Sequence, residues 1–166
     1  MESTMTLSRS LRSIIAAIAM IFPHAALADY CDGGDHILQA TTTEVSCLTL
    51  DDLREIGMTT VNTSTIWTEG VHEFKGVLLR DLLDHLDAEG SEIEATAIND
   101  YAITIPISDA VAGGPIIAYE MDGTTMTRRQ KGPLWVIYPF DSSSKYRTET
   151  VYSRSIWQLN RMVVRD

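Results

Sequence analysis

Cys31 and Cys47 carry the most reactive side chains of this chain, and their spacing limits what they can do. Neither lies in a Cys-x-x-Cys pair, and one pair of cysteines cannot complete a four-ligand zinc site without histidine. In an oxidising compartment the two are expected to form a disulfide, which on chain-entropy grounds stabilises by about 3 kcal/mol. A buried thiol, or a redox or metal role, is the alternative reading. His36, His72 and His85 show neither His-x-His nor His-x-x-x-His spacing, so no metal site is expected from them. Asp81, Asp84 and Asp87 lack the spacing of a calcium loop and read as the wet face of a helix. There is no Gly-x-Ser-x-Gly elbow to present a nucleophilic serine, and no catalytic residue is assigned. Arg128, Arg129 and Lys131 form a dense basic cluster. They read either as a solvated turn or as an anion site, since guanidinium forks match carboxylate, phosphate or sulfate.

That cluster stands in an acidic chain of 166 residues with a net charge of -10. Binding to nucleic acid needs many Lys and Arg on one face, so this composition predicts no nucleic-acid partner. At the amino terminus Arg9 and Arg12 precede the uncharged run Ile14 to Phe22, followed by Pro23 and Ala26-Leu27-Ala28. The run is too short to span a bilayer. The order of basic, apolar and small residues predicts a signal peptide over residues 1–28, cleaved after Ala28, and a periplasmic mature chain without a membrane span. Cleavage would remove Arg9, Arg12 and Glu2 and take the net charge from -10 to -11.

The elements that must position any site are short and of both kinds. Thr49 can cap a small helix in which Leu50, Leu53 and Ile56 share a face, with Gly57 as a left-handed exit. Met58 to Trp67, rich in Thr and Val, predicts a strand. Leu78, Leu79, Leu82, Leu83 and Leu86 recur at helical spacing over Val77 to Leu86, with Gly90 ending the helix. From Ile93 the period becomes two, through Ala95 and Ala97 to a corner at Asn99-Asp100-Tyr101 and a returning strand Ala102 to Ile107. Pro106 cannot donate to a ladder and belongs at an edge or strand end. Pro115 to Glu120 is another apolar run before the tight-turn pair Asp122-Gly123. Leu134 to Tyr138 predicts a strand, Phe140 to Arg147 a surface loop, and Ile156 to Val164 a last strand that closes the sheet. The fold class is α+β, a single domain over residues 29–166.

Four of these pieces in order carry a resemblance. They are Phe74-Lys75-Gly76-Val77-Leu78-Leu79-Arg80-Asp81-Leu82-Leu83, then Asn99-Asp100-Tyr101 with Ile105-Pro106, then Tyr119-Glu120-Met121-Asp122-Gly123, and lastly Gly132-Pro133-Leu134-Trp135-Val136-Ile137-Tyr138-Pro139. Together they resemble the oxidoreductase molybdopterin-binding domain family. The resemblance implies the mixed-sheet sulfite oxidase-type fold and, in catalytic members, a molybdenum cofactor that oxidises or reduces small oxyanions or sulfoxides. It also implies a cysteine ligand to molybdenum between the first small helix and the Phe-x-Gly-Val motif. Here that segment, residues 61–70, has no cysteine, and Trp135 stands where the typical enzyme has arginine. Arg9 and Arg12 are not adjacent, unlike the twin arginines of a signal that exports folded, cofactor-loaded proteins. These departures predict that no molybdopterin is bound.

Thr63, Ser64, Thr65 and Trp67 fall in the segment that would face the metal, and Asn99, Asp100 and Tyr101 at the corner near the cofactor. As ligand-binding residues, Thr63, Thr65, Trp67, Asn99, Asp100 and Tyr101 would hold a small polar ligand. Arg128 and Arg129 would take an anionic one. As structure, they are β-branched strand residues, an Asx-type turn and, for Trp67 with Trp135, core packing. The expected function is that of a periplasmic ligand-binding, sensory or interaction module, partnered by a small anionic or polar ligand or a periplasmic protein. The alternative is a molybdopterin-dependent oxidoreductase with atypical ligation.

Overall fold

In the computed structural model, Cys31 and residues 34–166 are described; the expected signal peptide lies outside them. Among the described residues two sheets form. The first joins β1 (His36–Thr41), β2 (Val45–Thr49), β5 (Glu92–Ala97), β6 (Ala102–Pro106) and β10 (Leu159–Arg165) in the order β2-β1-β10-β5-β6. The second joins β3 (Thr59–Ser64), β4 (Val71–Leu78), β7 (Ile116–Met121) and the short β8 (Thr124–Thr125), with β9 (Trp135–Ile137) also paired to β7. All pairings are antiparallel except β1 with β10, which brings the two ends of the described chain side by side.

Within the second sheet β7 and β9 are covered on both faces, which explains why these two strands read as continuous apolar runs. Ile117, Tyr119, Leu134, Val136 and Tyr138 face the main core, with Leu38, Ile93, Ile105 and Met162 of the first sheet. Their neighbours Ile116, Ala118, Trp135 and Ile137 face a smaller core with Phe74, Leu78 and Met126. One-residue alternation thus distributes a single apolar stretch between two clusters.

Three helices dock on this frame. In α1 (Leu50–Ile56) the hydroxyl of Thr49 accepts from Asp52 N at 3.2 Å and the Asp52 carboxylate accepts from Thr49 N at 2.8 Å, a reciprocal capping box. Leu53 is its buried anchor. Gly57 leaves the helix with φ 157° and ψ 162°, an extended exit and not the expected left-handed one. The helix expected from Val77 begins later, as α2 (Leu79–His85), because Val77 and Leu78 pair with Ile117 and Ile116 as the end of β4. It also ends before Gly90: Leu86 N donates to Leu82 O and Leu83 O, and Asp87 turns the chain with φ 45°. The third helix, α3 (Glu149–Arg154), was not expected; Thr148 caps it by accepting from Val151 N.

The turn chemistry is as the residues require. Asp122 and Gly123 both have positive φ, 52° and 77°, as a tight hairpin of this hand demands. Pro106 ends the edge strand β6. The stretch from Phe140 to Arg147 is more than a surface loop: it forms two 3-10 turns, and Phe140 is buried. The last strand does not close the first sheet but lies inside it, between β1 and β5. Cys31 and Cys47 form the expected disulfide, Cα to Cα 5.7 Å, tying a point upstream of β1 to the edge strand β2.

Candidate functional site

The segment after β3 is shaped by its hydroxyls. Ser64 donates to Asp141 twice, from its backbone N at 2.6 Å and its Oγ at 2.9 Å. Asp141 N donates in return to Thr63 Oγ1 at 3.1 Å, and Thr63 is fully buried. Thr65 Oγ1 shares a hydrogen bond with Thr68 Oγ1 at 2.8 Å and accepts from Trp67 N at 3.1 Å. Thr63 and Thr65 therefore use their oxygens to build the turn, and the turn aims Trp67.

Trp67 sits edge to face with four rings, Trp157 at 5.7 Å, Trp135 and Tyr152 at 5.8 Å, and Phe140 at 6.3 Å. Pairs of this geometry each add about 0.5–1.5 kcal/mol beyond area burial. Trp135 is the buried floor of the cluster, its Nε1 donating to Ser155 O at 3.1 Å. Above it, Trp67, Tyr152 and Trp157 line an open cleft of about 360 Å³ with Asn99 and Tyr101, and Ser153 and Ser155 also contribute to its wall. Tyr101 is 55% exposed and Trp157 38%, so ring surface is available to a ligand. Lys131 Nζ lies 4.3 Å from the Trp157 ring centroid, a cation over a ring face.

Of the residues singled out in the sequence, Trp67, Asn99 and Tyr101 thus meet in one cleft. Asn99 Oδ1 also accepts from Tyr101 N at 3.3 Å, the Asx-type turn read from the sequence. Asp100, with φ 62°, instead pairs with Arg161 at 2.6 Å. Arg128 belongs to a different cavity, of about 280 Å³, and Arg129 is exposed on the 3-10 turn Arg128–Gln130. Sequence reasoning missed Tyr152 and Trp157. Their signal was present, two aromatics close together in a polar C-terminal stretch, but Tyr152 is carried by a helix that apolar periodicity did not reveal.

The Asp141 clasp has a pH signature. Hydrogen bonds from Ser64 N and then Ser64 Oγ hold the Asp141 carboxyl below the usual carboxylate range. A carboxyl with a folded pKa below its unfolded one contributes stability that is complete above the unfolded value and is lost as pH falls through the folded one. Asp141→Ala is therefore expected to cost about 1 kcal/mol at neutral pH, at the low end for charge-assisted bonds because the group is exposed. The difference from wild type should shrink as pH falls below the ordinary Asp pKa of 3.8. Urea titrations across pH 3 to 7, of the order used for such series, check it; a pH-independent difference would show that the carboxylate charge is not what closes the clasp.

The model of the oxidoreductase molybdopterin binding domain family matches residues 37–145. The match runs from β1 into the 3-10 turn Ser144–Tyr146 and stops short of Tyr152 and Trp157, so part of the cleft wall lies outside it. No curated protein matches the chain.

Proposed function

Because the chain belongs to the oxidoreductase molybdopterin-binding domain family, we propose that it keeps the fold of that family as an exported binding module that does not ligate molybdenum through cysteine. The aromatic cleft between the Trp67 turn and Trp157 takes a small ligand. The family binds molybdopterin, and the residues present here do not fit a thiolate-held metal. The chain has two cysteines, and both sulfurs are joined in the Cys31–Cys47 bridge. Hydroxyls in the Thr63 to Thr65 segment stay protonated and are poor substitutes for soft thiolate ligation. Among the described residues the cleft lining includes no Arg or Lys to neutralise a cofactor phosphate, Lys131 standing over the Trp157 ring and not in the wall.

The observation that carries the binding proposal is the cleft itself. Trp67, Tyr101, Tyr152 and Trp157 form its aromatic walls, with the polar edges of Asn99 and Ser153. Ring faces in an acidic chain favour a flat neutral molecule over an anion, and Lys131, 4.3 Å from the Trp157 ring centroid, weighs against a second cation on that face. That moves the anionic ligand expected from the sequence away from this cleft. A disulfide fits an oxidising compartment outside the cytoplasm. No helix among the described residues is long and apolar enough to cross a membrane.

Tryptophan fluorescence titrated with heteroaromatic, aromatic-amine and quaternary-ammonium fragments tests the proposal. At least one class is expected to saturate, with affinity falling about tenfold in Trp157→Ala, equivalent to about 1.4 kcal/mol of lost stacking. No saturable fragment, or binding indifferent to Trp157→Ala, would remove the cleft as the site. Stoichiometric molybdenum in protein purified from its own host would overturn the metal-free reading.

A further inference from the structure

The second cavity, of about 280 Å³, lies beside the parallel β1–β10 pair and combines two kinds of unmet demand. Its walls include Gln39 of β1, Asn160 and Arg161 of β10, Arg128 and His36. Gln39 is only 8% exposed, and neither its Oε1 nor Asn160 Oδ1 has a hydrogen-bond partner among the described residues. A buried carbonyl oxygen without a donor loses its bonds to water and gains none in return, so two of them around one cavity are not neutral features of a fold. Terminal amide torsions are broad and let these groups turn toward a donor.

Positive charge meets them at the same place. Among the described residues the Arg128 guanidinium makes no ion pair or side-chain hydrogen bond; its backbone carbonyl accepts from Gln158 Nε2 at 3.0 Å and from Lys131 N at 3.2 Å. Arg161 spends one nitrogen on Asp100 at 2.6 Å and keeps its remaining N–H groups. Arg161 and Gln39 are register partners across the β1–β10 pair, so they stand on the same face of the sheet. A break in register between Leu159 and Arg161 marks Asn160 as the extra residue of a bulge, a device that re-aims a side chain.

We propose that this cavity is a second ligand site, separate from the aromatic cleft, for a small carboxylate that also carries a hydrogen-bond donor on the neighbouring carbon: an α-amino or α-hydroxy acid. Arg128 and Arg161 take the carboxylate; an ammonium donates to both the Gln39 and Asn160 amide oxygens, and a hydroxyl, with one proton, to one of them. A bare oxyanion satisfies only half of the site, because it offers no donor to the orphan oxygens.

Calorimetric titration of the full mature chain with glycine, glutamate, lactate, inorganic phosphate and sulfate tests it. At least one α-amino or α-hydroxy acid is expected to bind, about tenfold or more weaker in Arg128→Ala and again in Gln39→Leu. Trp157→Ala should leave this binding unchanged, so failure here and failure of the cleft are distinguishable. Arg128 is exposed on a turn, so its variant reports even if Gln39→Leu fails to fold. Absence of binding by every probe, or binding unaffected by Arg128→Ala, overturns the site. Phosphate or sulfate binding as tightly as the organic acids and ignoring Gln39→Leu overturns the assigned ligand class.

Discussion

Gly76→Ala is expected to lower the stability of the chain by roughly 3 kcal/mol or more, the upper end for overpacking, because the added methyl would strike backbone and not a yielding side chain. A Cβ at Gly76 would lie 2.6 Å from Ala118 Cα and nearer still to the carbonyl oxygen of Ile117. Gly76 pairs with Ala118 where the β4–β7 register shifts, Lys75 having paired with Glu120. To make room, β7 would have to retreat from β4, and β7 also holds β8 and β9. The conformation of Gly76 itself is not the reason, since it has no positive φ.

A useful contrast is Gly70, with φ 80° and open space around an added Cβ. Gly70→Ala meets only backbone strain and should cost about 1 kcal/mol. Urea denaturation of both variants at neutral pH compares them. If Gly76→Ala costs no more than Gly70→Ala, the close approach of β4 to β7 is absent and the core between them is looser than described. The glycine of the Phe74-Lys75-Gly76-Val77 stretch thus has a packing reason that does not depend on any ligand.

Features set by local chemistry were legible in the sequence. Thr49 caps α1 as its hydroxyl allows, with Asp52 as the reciprocal partner that the structure adds, Asp122-Gly123 makes the tight turn, and Pro106 is excluded from a ladder interior. Boundaries decided by tertiary contact were not. Val77 and Leu78 fit the leucine spacing of α2 equally well, and pairing with β7 decides that they belong to β4. The central place of β10 depends on parallel pairing with β1, some 120 residues earlier, a contact to which no local pattern points.

The site divides along the same line. Thr63 and Thr65 were legible as hydroxyls in the right segment, but only the fold shows their oxygens turned to Asp141 and Thr68. Arg128 and Arg129 are adjacent in sequence, yet a 3-10 turn directs Arg128 alone to the second cavity. Gln39 and Asn160 gave no signal, because an amide becomes informative only when its burial and lack of partners are known.

Trp135→Ala carries the other large expected effect, a loss of about 3–5 kcal/mol, and it tests how the cleft is held open. The side chain is fully buried between Phe74, 5.6 Å away, and Trp67, 5.8 Å away. Its truncation forfeits ring burial, leaves a cavity under Trp67 and frees the Ser155 carbonyl, itself buried, from its donor. Trp135→Phe keeps an aromatic ring and loses the Nε1 bond, so it should cost clearly less, by about 1–3 kcal/mol for the orphaned carbonyl with part of the volume restored. Trp135→Arg places a charge among the apolar side chains of Phe74, Ile116, Ala118 and Ile137, and should exceed Trp135→Ala. Thermal and urea unfolding of the three variants give the order Arg, Ala, Phe from most to least destabilised. If Trp135→Arg were tolerated, a counter-ion would have to reach this floor, and the cleft would be a place for anions after all. The expected order instead leaves it an aromatic platform whose rigidity comes from beneath, with Trp67 and Trp157 as the surfaces a ligand meets.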